Sequence, residues 1–315
     1  MEYRVLGDTG LRVSRLCYGS LTMGPLQANL PVMEGAALLR AAFDRGVNFL
    51  DTAELYNNYE YIKYGVQGRR AQVILSAKSY AYSKETAEYS LRKAMEEIGT
   101  DYIDIFSLHE QESEHTIRGH YEALEYFIKA KEKGYIRAFG ISTHAVAAVK
   151  AALQYPEIQV IHPIINKAGL GIIDGSREEM LAAIEAAVKA GKGIYSMKVL
   201  GGGNLIHSAQ ECFDFVLGNS NIHSVAVGMQ SEAEIINNIA VFENREPEEA
   251  IKRQIRSTKR KLHIDDWCTG CGSCSAKCNQ KAIAIVEGKA KVQREKCVLC
   301  GYCSAYCPDF CIKII

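Results

Sequence analysis

Cys268-Thr-Gly-Cys271-Gly-Ser-Cys274-Ser-Ala-Lys-Cys278 and, 29 residues further on, Cys297-Val-Leu-Cys300-Gly-Tyr-Cys303-Ser-Ala-Tyr-Cys307-Pro308 are two runs of one pattern, C-x2-C-x2-C-x3-C. Nine of the eleven cysteines lie between Cys268 and Cys311, leaving only Cys17 and Cys212 upstream. A disulfide framework needs an oxidising compartment. The chain opens Met1-Glu-Tyr-Arg-Val-Leu-Gly, with no apolar stretch behind a basic start, so a cytoplasmic location is expected. Clustered thiols there point to metal. Spacings this short wrap three thiolates around one face of a cubane and send the fourth to the other cluster. Two [4Fe-4S] clusters are therefore expected, one on Cys268, Cys271, Cys274 and Cys307, the other on Cys297, Cys300, Cys303 and Cys278. Zinc, the competing reading, favours two well-separated CxxC pairs. Such clusters move electrons one at a time.

Between the runs, Ala282–Val286 and Lys289–Gln293 flank Glu287-Gly288, the signature of a hairpin. Gly272, Gly301, Ser273, Ser275 and Ala276 keep side chains away from inorganic sulfur. Residues 264–315 thus resemble the bacterial two-[4Fe-4S] ferredoxin module, a small α+β domain, with Asn279 where a proline often follows the fourth cysteine. Cys311 reads as packing, since neither cluster lacks a ligand.

Upstream, residues 243–263 are rich in Glu, Lys and Arg and read as a solvated helical linker. Residues 1–242 alternate short apolar runs with amphipathic ones. The short runs are Leu16–Ser20, Val47–Ala53, Val73–Lys78, Ile103–His109, Ala138–Ser142, Val160–Asn166, Gly193–Val199 and Ser224–Gly228. They are nearly continuous in apolar residues, as strands buried on both faces are. Helical patterns lie at Glu34–Arg45, Lys84–Ile98, Glu122–Lys133 and Arg177–Ala190. This alternation predicts an α/β fold, a (β/α)8 TIM barrel. An open doubly wound sheet would want a Gly-rich phosphate loop after its first strand, and GxGxxG is absent. Tyr3–Val13 reads as a hairpin ahead of the barrel. Lys+Arg and Asp+Glu balance at 37 each, which gives no support for a nucleic-acid surface. No apolar run is long enough for a membrane span.

Four chemistry-bearing side chains fall at successive strand ends: Asp51, Tyr56 in the loop just after it, Lys78 and His109. A lysine ammonium beside a tyrosine lowers the phenol's pKa. Asp51 would position Lys78, and His109 would orient a carbonyl. The set reads as a general acid working near neutral pH.

Met1–Leu16, Asp51-Thr-Ala-Glu-Leu-Tyr56, Ala77-Lys78 and Leu108-His109 follow, in order, the pattern of the aldo-keto reductases, which residues 1–242 resemble. The resemblance implies Tyr56 as general acid assisted by Lys78, Asp51 and His109, a small carbonyl or alcohol substrate, and NAD(P)(H). It also implies cofactor contacts at Ser142, Asn166, Gly228, Gln230, Ser231 and Asn238. His162 stands where the family has glutamine, and the stacking aromatic falls near Tyr195. Gln230 cannot pair a 2′-phosphate as arginine does, which leaves NADH as well as NADPH open.

Hydride carries two electrons and a cluster one, so a flavin is a further candidate cofactor and a redox protein a candidate partner. Three functions follow: an iron–sulfur reductase of carbonyls, an electron-transfer module without carbonyl chemistry, or a plain reductase with structural clusters.

Overall fold

The computed structural model describes residues 1–315. The first elements, β1 (Tyr3–Val5) and β2 (Arg12–Ser14), pair antiparallel as the expected hairpin. Its turn caps the barrel floor. Gly7 has φ +52, and a Cβ there would sit 2.3 Å from the Gly193 nitrogen. Only glycine allows that approach. Leu6, Leu11 and Val13 are buried with Phe49, Ile105, Val160 and Tyr195 inside the barrel.

The eight apolar runs become β3 (Leu16–Gly19), β4 (Phe49–Asp51), β5 (Ile74–Ser79), β6 (Ile103–Leu108), β7 (Ile136–Thr143), β8 (Val160–Pro163), β9 (Gly193–Ser196) and β10 (Ser224–Gly228). They form a closed parallel barrel in chain order, with β10 returning to β3. Every residue of β4, β6, β8 and β9 is buried, which is why polar alternation is missing from their sequences. Several runs outlast their strands: Val47–Ala53 narrows to Phe49–Asp51 and Val160–Asn166 to Val160–Pro163. Val47 and Asn48 lie at the floor, where Asn48 bonds Ser14 and Arg12 of the hairpin, and Thr52, Ala53 and 164–166 lead into the loops at the mouth.

Helices cover the outside, including Val32–Asp44, Lys84–Ile98, Tyr121–Glu132 and Arg177–Lys189. The second starts at Ser83, whose hydroxyl accepts from the Thr86 amide in a capping box. No helix is long and apolar enough to cross a membrane.

At the C-terminus, β11 (Leu262–Ile264) pairs antiparallel with β14 (Ile312–Ile314), and β12 (Ile283–Val286) with β13 (Lys289–Val292). Glu287 (φ 52) and Gly288 (φ 72) both adopt the left-handed conformation a tight two-residue hairpin needs. This segment docks on the barrel mouth through the loop after β9. Ile314 N–H donates to the Gly202 carbonyl at 2.9 Å, and Asn204 Nδ2 donates to the Ile312 carbonyl at 3.0 Å. Gly203 (φ +85) lets the Ile314 carbonyl come to 2.0 Å from where a Cβ would stand.

Candidate functional site

Parallel strands deliver the side chains at their C-terminal ends to one mouth. Asp51 ends β4, Lys78 lies in β5 and His109 follows β6. Lys78 Nζ donates to Asp51 Oδ1 at 2.6 Å and to the Thr52 carbonyl at 2.7 Å, with both charged groups buried. Tyr56 sits in a short turn, Glu54–Tyr56, closed by Asn57 in the left-handed region. The Lys78 ammonium lies 5.4 Å from the Tyr56 ring centre. His109 meets Tyr56 edge-on at 5.9 Å and stacks on Tyr80 at 4.6 Å. The structure therefore brings the four predicted residues together.

Their electrostatics differ from expectation in one respect. The Tyr56 phenol is not lowered by Lys78. Burial, followed by the charges of Asp51 and Glu110, raises it well above the ordinary value. The lysine's charge is already committed to Asp51, so the phenol stays protonated and can donate. Burial and the charge of Lys78 push His109 well below the ordinary imidazole value. Its ring is neutral, and buried Nδ1 has no partner.

Below them lies a layer that spacing did not reveal. Tyr195 is fully buried and donates to Asp51 Oδ1 at 2.9 Å, with Ser76 Oγ 2.8 Å away. Its ring stacks on His162 at 3.9 Å, so this face is already occupied. His162 Nδ1 donates to the Tyr195 carbonyl at 2.6 Å, which fixes its tautomer. Burial drives its pKa down to about 4.

A cleft of about 560 Å³ opens from Asp51, Tyr56 and His162, passes Gly19, Thr22 and Gln27, and runs to Gly228, Gln230 and Asn238. Thr22 Oγ1 and Gln27 Oε1 are buried without partners, so an elongated polar ligand such as a dinucleotide fits there. Three predicted contacts do not reach this cleft. Ser142 is fully buried and its hydroxyl accepts from the Glu110 amide at 2.9 Å. Asn166 folds back on the Leu170 backbone through two 2.9 Å hydrogen bonds. Ser231 caps the helix Glu232–Phe242, accepting from the Glu234 amide. The family resemblance implied ligand contact for these residues, but local backbone amides and carbonyls satisfy them first.

The linker forms the helix Glu249–Ser257, none of whose residues is buried, yet one side of it borders the cleft. Lys252, Ile255 and Arg256 of the helix Glu249–Ser257, with Arg260, line the far end of the cleft. Arg260 pairs with Glu234 at 3.1 Å, and Arg256 with Glu249 at 3.3 Å. The positive charge missing at Gln230 is present here. Helical periodicity could have marked the face, but not what it packs on.

In the C-terminal segment, Cys268, Cys271, Cys274 and Cys307 surround one cavity, with Cys311 beside them. Cys278, Cys297, Cys300 and Cys303 surround a second. Amides of Ala290, Ala282 and Cys311 donate to the sulfurs of Cys268, Cys278 and Cys307 at 3.5, 3.3 and 3.2 Å. Such donors stabilise thiolates. No three Cys, His, Asp or Glu side chains converge tightly enough for a single metal ion. Two groups of four thiols, each around its own cavity, suit the donor set of an extended cluster.

Comparison with known proteins agrees with this geometry. The aldo/keto reductase family model matches residues 15–214, and a 4Fe-4S dicluster domain model matches residues 260–308. The chain is 30% identical over 204 residues to YqkF, an uncharacterized oxidoreductase of Bacillus subtilis, covering 59% of this chain and 61% of that protein. It is 24% identical over 282 residues to L-galactose dehydrogenase of Arabidopsis thaliana, covering 76% of this chain and 88% of that one. The aldo-keto reductase AKR11C1 of Bacillus halodurans superposes with a TM-score of 0.66 at 22% identity, over 81% of this chain and 94% of its own; it shares the fold. With its barrel and its cysteine-rich extension both matched, this chain belongs to the aldo/keto reductase family, as an oxidoreductase carrying a 4Fe-4S dicluster domain.

Proposed function

We propose that the protein reduces a small carbonyl compound, or oxidises the corresponding alcohol, with Tyr56 as general acid and the iron–sulfur domain as its electron entry or exit. The observation that carries this reading is the buried Lys78–Asp51 pair beside Tyr56, with Asp51 and Tyr56 lining the cleft. When bound, a nicotinamide would supply hydride and two [4Fe-4S] clusters single electrons, with a flavin as the class of carrier able to join the two. Thr22, Gln27, Gly228, Gln230 and Asn238 would hold the dinucleotide, and the two sets of four cysteines the clusters.

The chain's own residues handle the proton. Tyr56 Oη, kept protonated by burial, donates to the carbonyl oxygen as negative charge develops there. Lys78, fixed by Asp51 and the Thr52 carbonyl, packs beside the Tyr56 ring and holds the phenol in place. Neutral His109 hydrogen-bonds the carbonyl and sets its angle to Tyr56.

Removing the acid should lower turnover by about 10²–10⁴-fold. Tyr56→Phe, assayed with NADH and NADPH over a panel of aldehydes and ketones, should lose kcat while retaining nucleotide binding. Unchanged kcat would remove Tyr56 from the chemistry.

A second reading, electron transfer between an external donor and a nicotinamide or flavin, gains support from two observations. Ser142 and Asn166 are committed to the backbone, and His162 occupies the face of Tyr195. Under that reading no carbonyl compound is turned over, and Tyr56→Phe leaves nucleotide-driven cluster reduction intact.

A further inference from the structure

Three lysines meet where the iron–sulfur segment covers the barrel mouth. Two are neutralised: Lys78 by Asp51 at 2.6 Å, and Lys313 by Asp265 at 3.3 Å. The third, Lys198, has no acidic partner. It lies two residues beyond β9 and lines the same cleft as Asp51 and Tyr56. Its ammonium faces the Phe310 ring, 4.9 Å from the centre, while Lys313 takes the same ring at 4.0 Å. Its backbone has φ 59, a left-handed conformation that a lysine adopts rarely and that only surrounding structure can hold.

We propose that Lys198 is an anion receptor at the substrate end of the cleft, and that the carbonyl compound presented to Tyr56 carries a carboxylate. A desolvated cation without a counter-ion is costly, and a ligand carboxylate removes that cost. Burial and Lys313 lower the Lys198 pKa to about 7 against the raising charges of Glu110 and Asp265, so a bound carboxylate would favour its charged form. The charge of Lys198 is felt at His109, His144 and His162, which places it at the tetrad end of the cleft. His144 Nε2 is buried without a partner nearby, its ring edge-on to the same Phe310. Lys252, Arg256 and Arg260 line the cleft's other end, where a dinucleotide phosphate has its own cations. Phe310 and Lys313 come from the iron–sulfur domain, so that domain completes the receptor.

The inference rests on the carbonyl-reductase reading, and a binding experiment separates the two. Full-length protein with reconstituted clusters and saturating NADP+ is titrated by calorimetry with 4-oxobutanoate and its amide, and with phenylglyoxylate and its amide. The wild type should bind each acid about tenfold tighter than its amide, the contribution of one charge-assisted hydrogen bond. Lys198→Met should bring the ratio to near unity, and Lys198→Arg should retain it. Thermal melts confirm that the variants fold. Equal binding of acid and amide by the wild type, or a ratio unchanged in Lys198→Met, overturns the proposal. So does weakening confined to ADP-ribose, which would assign Lys198 to the dinucleotide. If the acid preference follows Lys198 but no carbonyl is ever reduced, the receptor stands and the reductase reading falls.

Discussion

The barrel and the iron–sulfur segment hold themselves together by different means. The barrel's main core contains 56 buried side chains, contributed by strands and by the helices around them. The C-terminal core has nine, and four of these are Cys268, Cys274, Cys303 and Cys311. A buried Leu or Phe contributes about 1.5–3 kcal/mol, so the barrel carries its own stability. A segment of that size with so few aliphatic side chains needs staples. Bound iron–sulfur clusters would supply such staples through the cysteines.

The largest expected effect follows from that difference. Metal binding to a small domain contributes on the order of 10 kcal/mol of folding free energy. Stripping iron with a chelator, or combining Cys268→Ser with Cys307→Ser, should expose residues 262–315 to protease while the barrel keeps its far-UV signal and cooperative melt. A protease-resistant apo segment would break the comparison. Next in size is Lys78→Met. It leaves Asp51 buried without its cation, which should destabilise the barrel by about 3–5 kcal/mol in denaturant unfolding. The cluster absorbance should stay unchanged in native protein.

A smaller effect sharpens the contrast through pH. His162 has a folded pKa of about 4, below its unfolded value. The unfolded state therefore binds the extra proton between those values. Its stabilising contribution is complete near neutral pH and is lost as pH falls toward 4, by about 2 kcal/mol between pH 7 and pH 5. His109 and His144 are shifted in the same direction. Barrel unfolding midpoints should fall on acidification, and His162→Gln should flatten the slope. An equal slope in the variant would place the acid sensitivity elsewhere.

The same contrast governs what could be read from sequence. The cysteine runs were legible because ligand spacing within a few residues dictates the chemistry. The eight strands were legible because burial on both faces removes polar alternation. Asp51, Tyr56, Lys78 and His109 stood out because parallel strands end at one mouth. What escaped depends on long-range packing. Tyr195 reaches Asp51 across 144 residues, and no local pattern foretells that. Ser142, Asn166 and Ser231 have the right residue types but spend their polar atoms on nearby backbone. The charge along residues 243–263 looked like a solvated face, since periodicity says which side is polar and not that a cleft lies against it. Lys198 escaped for a related reason: its lack of a counter-ion is a property of the assembled mouth.

The most direct test of the account is whether the barrel site and the clusters share electrons. Reconstituted full-length protein is mixed anaerobically with NADH or NADPH, with and without added flavin, and cluster reduction is followed by EPR. Dithionite-treated protein marks the full signal. One nucleotide should elicit the reduced-cluster signal in at least one of these mixtures. No signal with either nucleotide, with or without flavin, in protein whose clusters dithionite reduces, would contradict it and leave a carbonyl reductase beside an independent iron–sulfur domain.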